Sequence, residues 1–391
     1  MRNLIRACID EYRDIFFDSG VMLIFFGAIL IYPIFYPLPY SAEVLRKVPV
    51  GVVDLDRSQL SRRLIRMMDA HEMLSVTARP ASLKEAEDLF YNGDIKGFVV
   101  IPRRFSKDVM KGSQTEVAAY CDAGYFLFYK QMLTGVLYSA GTLSGGVVVK
   151  KMMSRGIPKQ QAMIKRDPLP LLQVPLFNPA GGYASYVVPP VLILILQQTL
   201  LIGIGMVKGT RRERRSEGNT YLVLNGKAAG AVSLLAGKAL AYFSLYFLHV
   251  IYITIILFRL YRFPQRGTLP DILLFLTPFL LSIIFLGFTV STLFKRRETS
   301  MVVLLFTSMP FLFLVGFSWP VEGIPSWLRF FSMFIPSTMG IDGFLKIDGM
   351  GASLKEVGRQ WAVLWGLSIF YFFLAWFSLK RSGKSDYGKA A

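Results

Sequence analysis

The chain has 391 residues, 53% hydrophobic and 14% aromatic, with a mean hydropathy of +0.45 and only 18% charged residues. An ordinary soluble domain carries about 25% charged residues, so this composition argues against a cytosolic globular enzyme and for several membrane spans plus one soluble insert. The formal charge of +18 reads, on a chain this apolar, as basic residues flanking membrane helices rather than a nucleic-acid surface, and Cys8, Cys121, His71 and His249 make neither a disulfide framework nor a metal set.

Residues 1–18 place Ile5, Cys8, Ile9, Tyr12 and Phe16 at helical spacing, which predicts an amphipathic helix lying on the membrane surface. The same stretch holds Asp10, Glu11, Asp14 and Asp18, unlike the short basic start of a signal peptide, so the apolar run that follows is expected to stay on the chain. Six runs are long and apolar enough to cross a bilayer, at residues 19–39, 186–207, 239–260, 272–294, 301–317 and 361–379. Only Arg259, near the end of the third, breaks their freedom from charge.

Residues 40–185 are too polar to span and too long for a turn. VPVGVVDLD at 48–56 reads as a strand running into a cap at Asp56 or Ser58. Residues 59–70 have helical character, and 73–78 fit a second strand. Ser82 and Glu85 make a capping-box pattern on a helix that Gly93 ends. Strands at 96–101 and 116–121 complete a small α/β domain, and 125–153 reads as a long helix that can lead back toward the membrane. Gly141 and Gly145 in that helix suit close packing or plain flexibility. The Asp54/Asp56 pair reads as turn and cap residues rather than a catalytic dyad. His71-Glu72 lacks the second histidine of a zinc-protease pattern, and no chemistry is assigned to this domain.

Orientation follows from the basic bias of the short loops. Segment 208–238 holds Lys208, Arg211, Arg212, Arg214, Arg215, Lys227 and Lys238. Lys295-Arg296-Arg297 and the tail at 380–391, with Lys380, Arg381, Lys384 and Lys389, share that side. Both termini are then cytoplasmic, and residues 40–185 lie outside. The sequence therefore predicts a polytopic α-helical membrane protein with six transmembrane helices and an inserted extracytoplasmic α/β domain. Within the spans the polar groups are few: Gln197, Gln198, His249 and some hydroxyls. His249 fits a bond to a neighbouring helix better than a proton relay. The string Gly230 to Ala239 has Val232 and Ala239 where a phosphate loop needs other residues, so the chain shows no ATP site and no energy source of its own.

Four features together resemble the membrane subunits of ABC-2-type exporters, in the subclass with a large extracytoplasmic domain between the first two spans. One is the order of helix, span, insert and five spans. Another is the approach to the second span, Asn178, Pro179, Tyr183, Tyr186 and Pro189, where Pro190 replaces the family's usual glycine. A third is the cytoplasmic string Glu213, Arg214, Arg215, Gly218 and Thr220, with Asn219 and Tyr221 departing from the family pattern. The fourth is the segment 318–345, from Trp319-Pro320 through Trp327 to Asp342-Gly343, which resembles an outer re-entrant segment.

The resemblance implies a paired membrane unit in a bacterial inner membrane, homo- or heteromeric, each half docked on a cytoplasmic ATPase that holds ATP and Mg, with no cofactor in this chain. Glu213, Arg214, Arg215, Gly218 and Thr220 are the implied coupling residues; the plainer reading makes the arginines topology anchors on lipid headgroups. Gln197, Gln198, His249, Met309 and Phe311 are candidates for a path taken by a hydrophobic or amphipathic substrate. The resemblance also admits a periplasmic adaptor on the insert. The rival reading is a membrane-anchored extracytoplasmic receptor or envelope-assembly protein without transport.

Overall fold

The computed structural model describes residues 2–216 and 228–387. The chain forms two units, Met1–Glu43 with Pro175–Ala391, and Val44–Val174.

In chain order the first unit opens with α1 (Arg2–Phe17). Its buried stripe is Ala7, Glu11 and Ile15, one residue per turn, while Ile5, Ile9 and Phe16 point outward. The outward apolar face is the one the sequence assigns to the membrane surface. Asp18 ends α1 and caps α2 (Ser19–Met22) by accepting from the amides of Gly20 and Val21. A wider π turn at Leu23–Ala28 and α3 (Ile29–Phe35) complete a first candidate span, Ser19–Tyr40.

The second unit is a four-stranded sheet in the order β2-β1-β3-β4, from β1 (Val48–Asp54), β2 (Leu74–Ala78), β3 (Gly97–Ile101) and β4 (Ala118–Cys121). β1 is parallel to both neighbours and β4 runs antiparallel to β3. The crossovers are α4 (Gln59–Ala70) and α5 (Leu83–Tyr91), capped by Ser58 and Ser82. After β3 comes α6 (Phe105–Lys111). One face of the sheet packs Val50, Val52 and Leu74 against Leu64 and Met68 of α4 and Met132 and Val136 of α7 (Phe126–Met153). The other face packs Val53 and Phe98 against Ala86 of α5. α8 (Lys159–Arg166) folds back along α7, and the Arg166 guanidinium lies where a side chain at Gly145 would stand. Nothing packs within 4 Å of Gly141 in the same way.

The first unit resumes with α9 (Tyr183–Ser216), α10 (Ala228–Ile251), a π turn at Tyr252–Leu257 and α11 (Phe258–Tyr261). Then follow α12 (Leu269–Val290), α13 (Arg297–Phe306), α14 (Ser308–Leu314), α15 (Ser326–Ser332), α16 (Pro336–Asp348) and α17 (Gly358–Tyr387). α9 is the axis of this unit: nearly all of its apolar stretch is buried among the other helices. Two glutamate bonds tie its start to the end of the first span. Ser185 Oγ donates to Glu43 over 2.6 Å and the Ser185 amide over 3.1 Å, while the Tyr183 amide reaches the Glu43 carbonyl.

The span map corrects the sequence reading in two places. Seven helical stretches, not six, are long and apolar enough to cross a membrane; the added one is Phe126–Met153. The fifth run begins at Arg297 rather than 301, and breaks between Phe306 and Ser308. Pro310 has no amide to give the Phe306 carbonyl, which accounts for the break.

Candidate functional site

At about 1.5 Å per residue, the 34 residues of α9 make a rod near 50 Å, well beyond a hydrocarbon core of about 30 Å. Its last turns therefore carry Thr210, Arg211, Arg212 and Glu213 past the apolar stretch. There they meet three other helices. The Arg211 guanidinium donates to Glu11 over 2.6 Å and also pairs with Asp14, both on α1. Glu11 receives Lys238 of α10 at 3.2 Å and the Tyr242 hydroxyl at 2.7 Å. Asp18 receives the Thr210 hydroxyl and both terminal nitrogens of Arg297 at the start of α13, at 2.9 and 3.1 Å. Glu213 accepts from the Arg297 amide, and Arg212 bonds the carbonyls of Thr292 and Phe294.

Glu11 is only 2% exposed, yet it is ionised. Burial raises its carboxyl, but Arg211, Lys238 and the Tyr242 hydroxyl together hold it down at about 2. Such a cluster survives burial only because each carboxylate oxygen has a charged or hydroxyl donor. Close backbone approach makes it possible: Gly237 of α10 lies against the Leu4 carbonyl of α1, and Gly209 of α9 faces the Arg297 backbone. The arrangement locks α1, α9, α10 and α13 into one block at the end of α9.

Sequence reasoning missed half of this site. Glu11, Asp14 and Asp18 recur at spacings of three and four, one face of a helix, and that stripe was the available signal. Of the expected coupling residues, Glu213 belongs to the block, and Arg214 is half-buried with no hydrogen bond or ion pair among the described residues. The Arg215 side chain, Gly218 and Thr220 lie outside the described residues.

At the other end of α9, the Asn178 side chain closes a loop with Gly182 in both directions, at 2.8 and 3.0 Å. Pro179 is exposed beside it. Tyr183 packs on Tyr40, and the Tyr186 hydroxyl bonds the Phe317 carbonyl. Pro189 is buried inside the helix. The five residues therefore shape how α9 starts.

The substrate-path candidates differ in their surroundings. Gln197 makes two bonds to Ser337, 3.0 Å to its hydroxyl and 2.8 Å from its amide, and so fastens α9 to the start of α16. Gln198 is buried with neither amide atom partnered, and His249 is buried between Phe26 and Tyr246 with Nδ1 unpartnered. Met309 is exposed and Phe311 packs on the core. Gly230 to Ala239, the nearest string to a phosphate loop, is α-helix, so its amides bond within α10 rather than facing a nucleotide.

A family model described as "ABC-2 family transporter protein" matches residues 19–377. Among curated proteins, the chain is 22% identical over 340 residues to the "Probable multidrug ABC transporter permease YbhS" of Escherichia coli K12, covering 86% of this chain and 85% of that protein. It is 20% identical over 347 residues to "ABC transporter G family member 20" of Dictyostelium discoideum, covering 87% of this chain and 46% of that protein.

Proposed function

The chain belongs to the ABC-2 family of transporter proteins, and on that premise we propose that it is the permease subunit of an exporter driven by a separate cytoplasmic ATPase. The observation that carries this reading is the buried charge block at the end of α9. A force applied to the segment after α9 reaches α1, α10 and α13 at once through Glu11, Asp18, Arg211 and Arg297. Arg214, charged, half-buried and without an ion pair among the described residues, is the contact offered to the ATPase, with Arg215, Gly218 and Thr220 next in the chain. ATP and Mg sit on the partner.

Six of the seven candidate helices cross the membrane on this reading. Phe126–Met153 packs on the sheet instead, and the Glu43 bonds to Ser185 put the end of the first span beside the start of the second. The block then lies on the cytoplasmic side of a bacterial inner membrane with both termini, and the α/β unit lies outside. The cargo is hydrophobic or amphipathic, as the multidrug name of the YbhS relative supports. A second copy of the permease, identical or related, completes the path. α13 and α14 bury little of their apolar surface within one chain, with Met301, Phe306, Met309 and Phe313 outward, which suits that contact.

The test is copurification from mild detergent with the ATPase, followed by transport in liposomes. Arg214→Glu with Arg215→Glu is expected to release the ATPase and abolish ATP-dependent export while the permease still folds. Survival of both complex and transport overturns the docking assignment. Uphill export by the permease alone overturns the whole reading, and a chain with no ATPase partner is the receptor or assembly protein instead.

A further inference from the structure

The stretch between α8 and α9 is apolar and exposed, and it lies outside every candidate span among the described residues. Leu169, Leu171, Leu172, Val174 and Leu176 are each between 65% and 91% exposed. Single exposed leucines are ordinary, but five within eight residues make a contiguous apolar patch that water does not tolerate uncovered. The stretch forms no regular secondary structure, and Pro168, Pro170 and Pro175 strip it of three backbone donors.

Its place in the chain says what covers it. Phe177, the next residue, stacks under the Arg266 guanidinium at 5.4 Å, in the turn between α11 and α12. The Asn178–Gly182 loop then leads directly into α9. Leu176 is therefore held at the level where three helices of the membrane-spanning unit end. Upstream, α8 presents exposed Lys159 and Lys165, together with exposed Met163 and Ile164. The nearest acidic residue, Asp167, is already paired with Arg166 at 2.9 Å. Basic groups beside exposed apolar ones, tethered at the end of a span, match the headgroup zone of a bilayer rather than its core. The unpaired amides of an extended segment need water or phosphate oxygens, which the headgroup zone supplies and the hydrocarbon core does not.

We propose that residues 159–176 are a surface anchor. The leucines lie among the upper acyl chains at the Tyr183 end of α9, and Lys159 and Lys165 rest on anionic lipid phosphates. The anchor fixes the α/β unit to the lipid at its return to the membrane. It rests on the spans alone and holds whether or not an ATPase docks at the far end of α9.

The full chain, with Cys8→Ser and Cys121→Ser, is labelled at Leu172→Cys with an environment-sensitive fluorophore. It is reconstituted in phosphatidylethanolamine vesicles with and without phosphatidylglycerol. Lipids bearing a quencher near the headgroup are expected to quench the label, aqueous iodide is not, and phosphatidylglycerol strengthens the effect. Lys159→Glu with Lys165→Glu weakens the bound state by about fivefold per lysine in the anionic vesicles. Leu169→Cys, read in the same way, guards against a fold defect at one position. A label open to iodide and untouched by the lipid quencher overturns the proposal. So does a label shielded from both, because a second copy or an adaptor protein then covers the patch.

Discussion

Glu11 is a buried node of the junction. It holds Arg211, Lys238 and Tyr242 at once, from three turns of two different helices. Removing one partner of a buried ion pair strands the others, at a cost of about 3–5 kcal/mol. Glu11→Ala is therefore expected to lower the thermal stability of the purified permease and to expose α1 to trypsin at Arg6 and Arg13. The pH dependence has a definite sign. A carboxyl held at about 2 stabilises the fold fully above its ordinary value near 4.5, and that stability is lost as pH falls from there through 2. Acid titration of the wild type should show this loss, and Glu11→Gln should not. Asp348 behaves in the opposite way. It is 1% exposed with Oδ1 unpartnered; burial pushes it up to about 7, against a hydrogen bond from Gln265. Its contribution falls as pH rises from near 4 to 7 and stays low above. Asp348→Asn should match the wild type at pH 4 and exceed it in melting temperature at pH 8. Spacing in the sequence displays the acidic stripe of α1, but not its partners. Arg211 lies 200 residues away, and only the folded chain brings the two together.

Two helix contacts separate glycines that hold elements together from glycines that merely weaken them. A Cβ at Gly209 would stand 2.7 Å from both the Arg297 amide nitrogen and its Cα, and backbone cannot give way. Gly209→Ala is expected to push α13 off α9, with an overpacking cost of about 1–3 kcal/mol. Loss of the Arg297–Asp18 pair should follow, read as a lower melting temperature of the purified chain. Gly141, inside α7, has nothing within 4 Å, so Gly141→Ala should stabilise by about 0.5–1 kcal/mol in a melting experiment. Sequence composition cannot tell these two apart. The elements themselves are far more legible. The strand read at 48–56 is β1, and the Ser82 cap opens α5. Apolar runs of about 20 residues announce the long helices by length alone. The α7 helix is ambiguous by that rule because Met132, Val136 and Leu143 pack on the sheet cluster, and hydropathy does not distinguish a protein partner from lipid. The surroundings of Gln197 are hidden for a related reason: it looks like a lone polar group in a span, and its bonds to Ser337 depend on a helix 140 residues later.

At the scale of the whole molecule, crossings obey parity. The first span ends at Tyr40, and Glu43 reaches Ser185 at the start of α9. On the six-span reading proposed above, the chain therefore leaves the membrane and returns to it at the same face. Any crossing between those points must be undone by another before Tyr183, and only one stretch there, Phe126–Met153, is long and apolar enough among the described residues. A single crossing would deliver α9 to the wrong face and break the Glu43 bonds. The two ends of α7 must then share a side, at the exposed positions Gly124 and Ser154. Single cysteines there, with Cys8 and Cys121 changed to serine, are expected to react alike with a membrane-impermeant maleimide in sealed vesicles, both without permeabilisation or both only after it. Cysteines at the two ends of Leu269–Val290 should give the split pattern of a true span. A split pattern across Phe126–Met153 would make it a seventh crossing and contradict the parity set by the Glu43–Ser185 bonds.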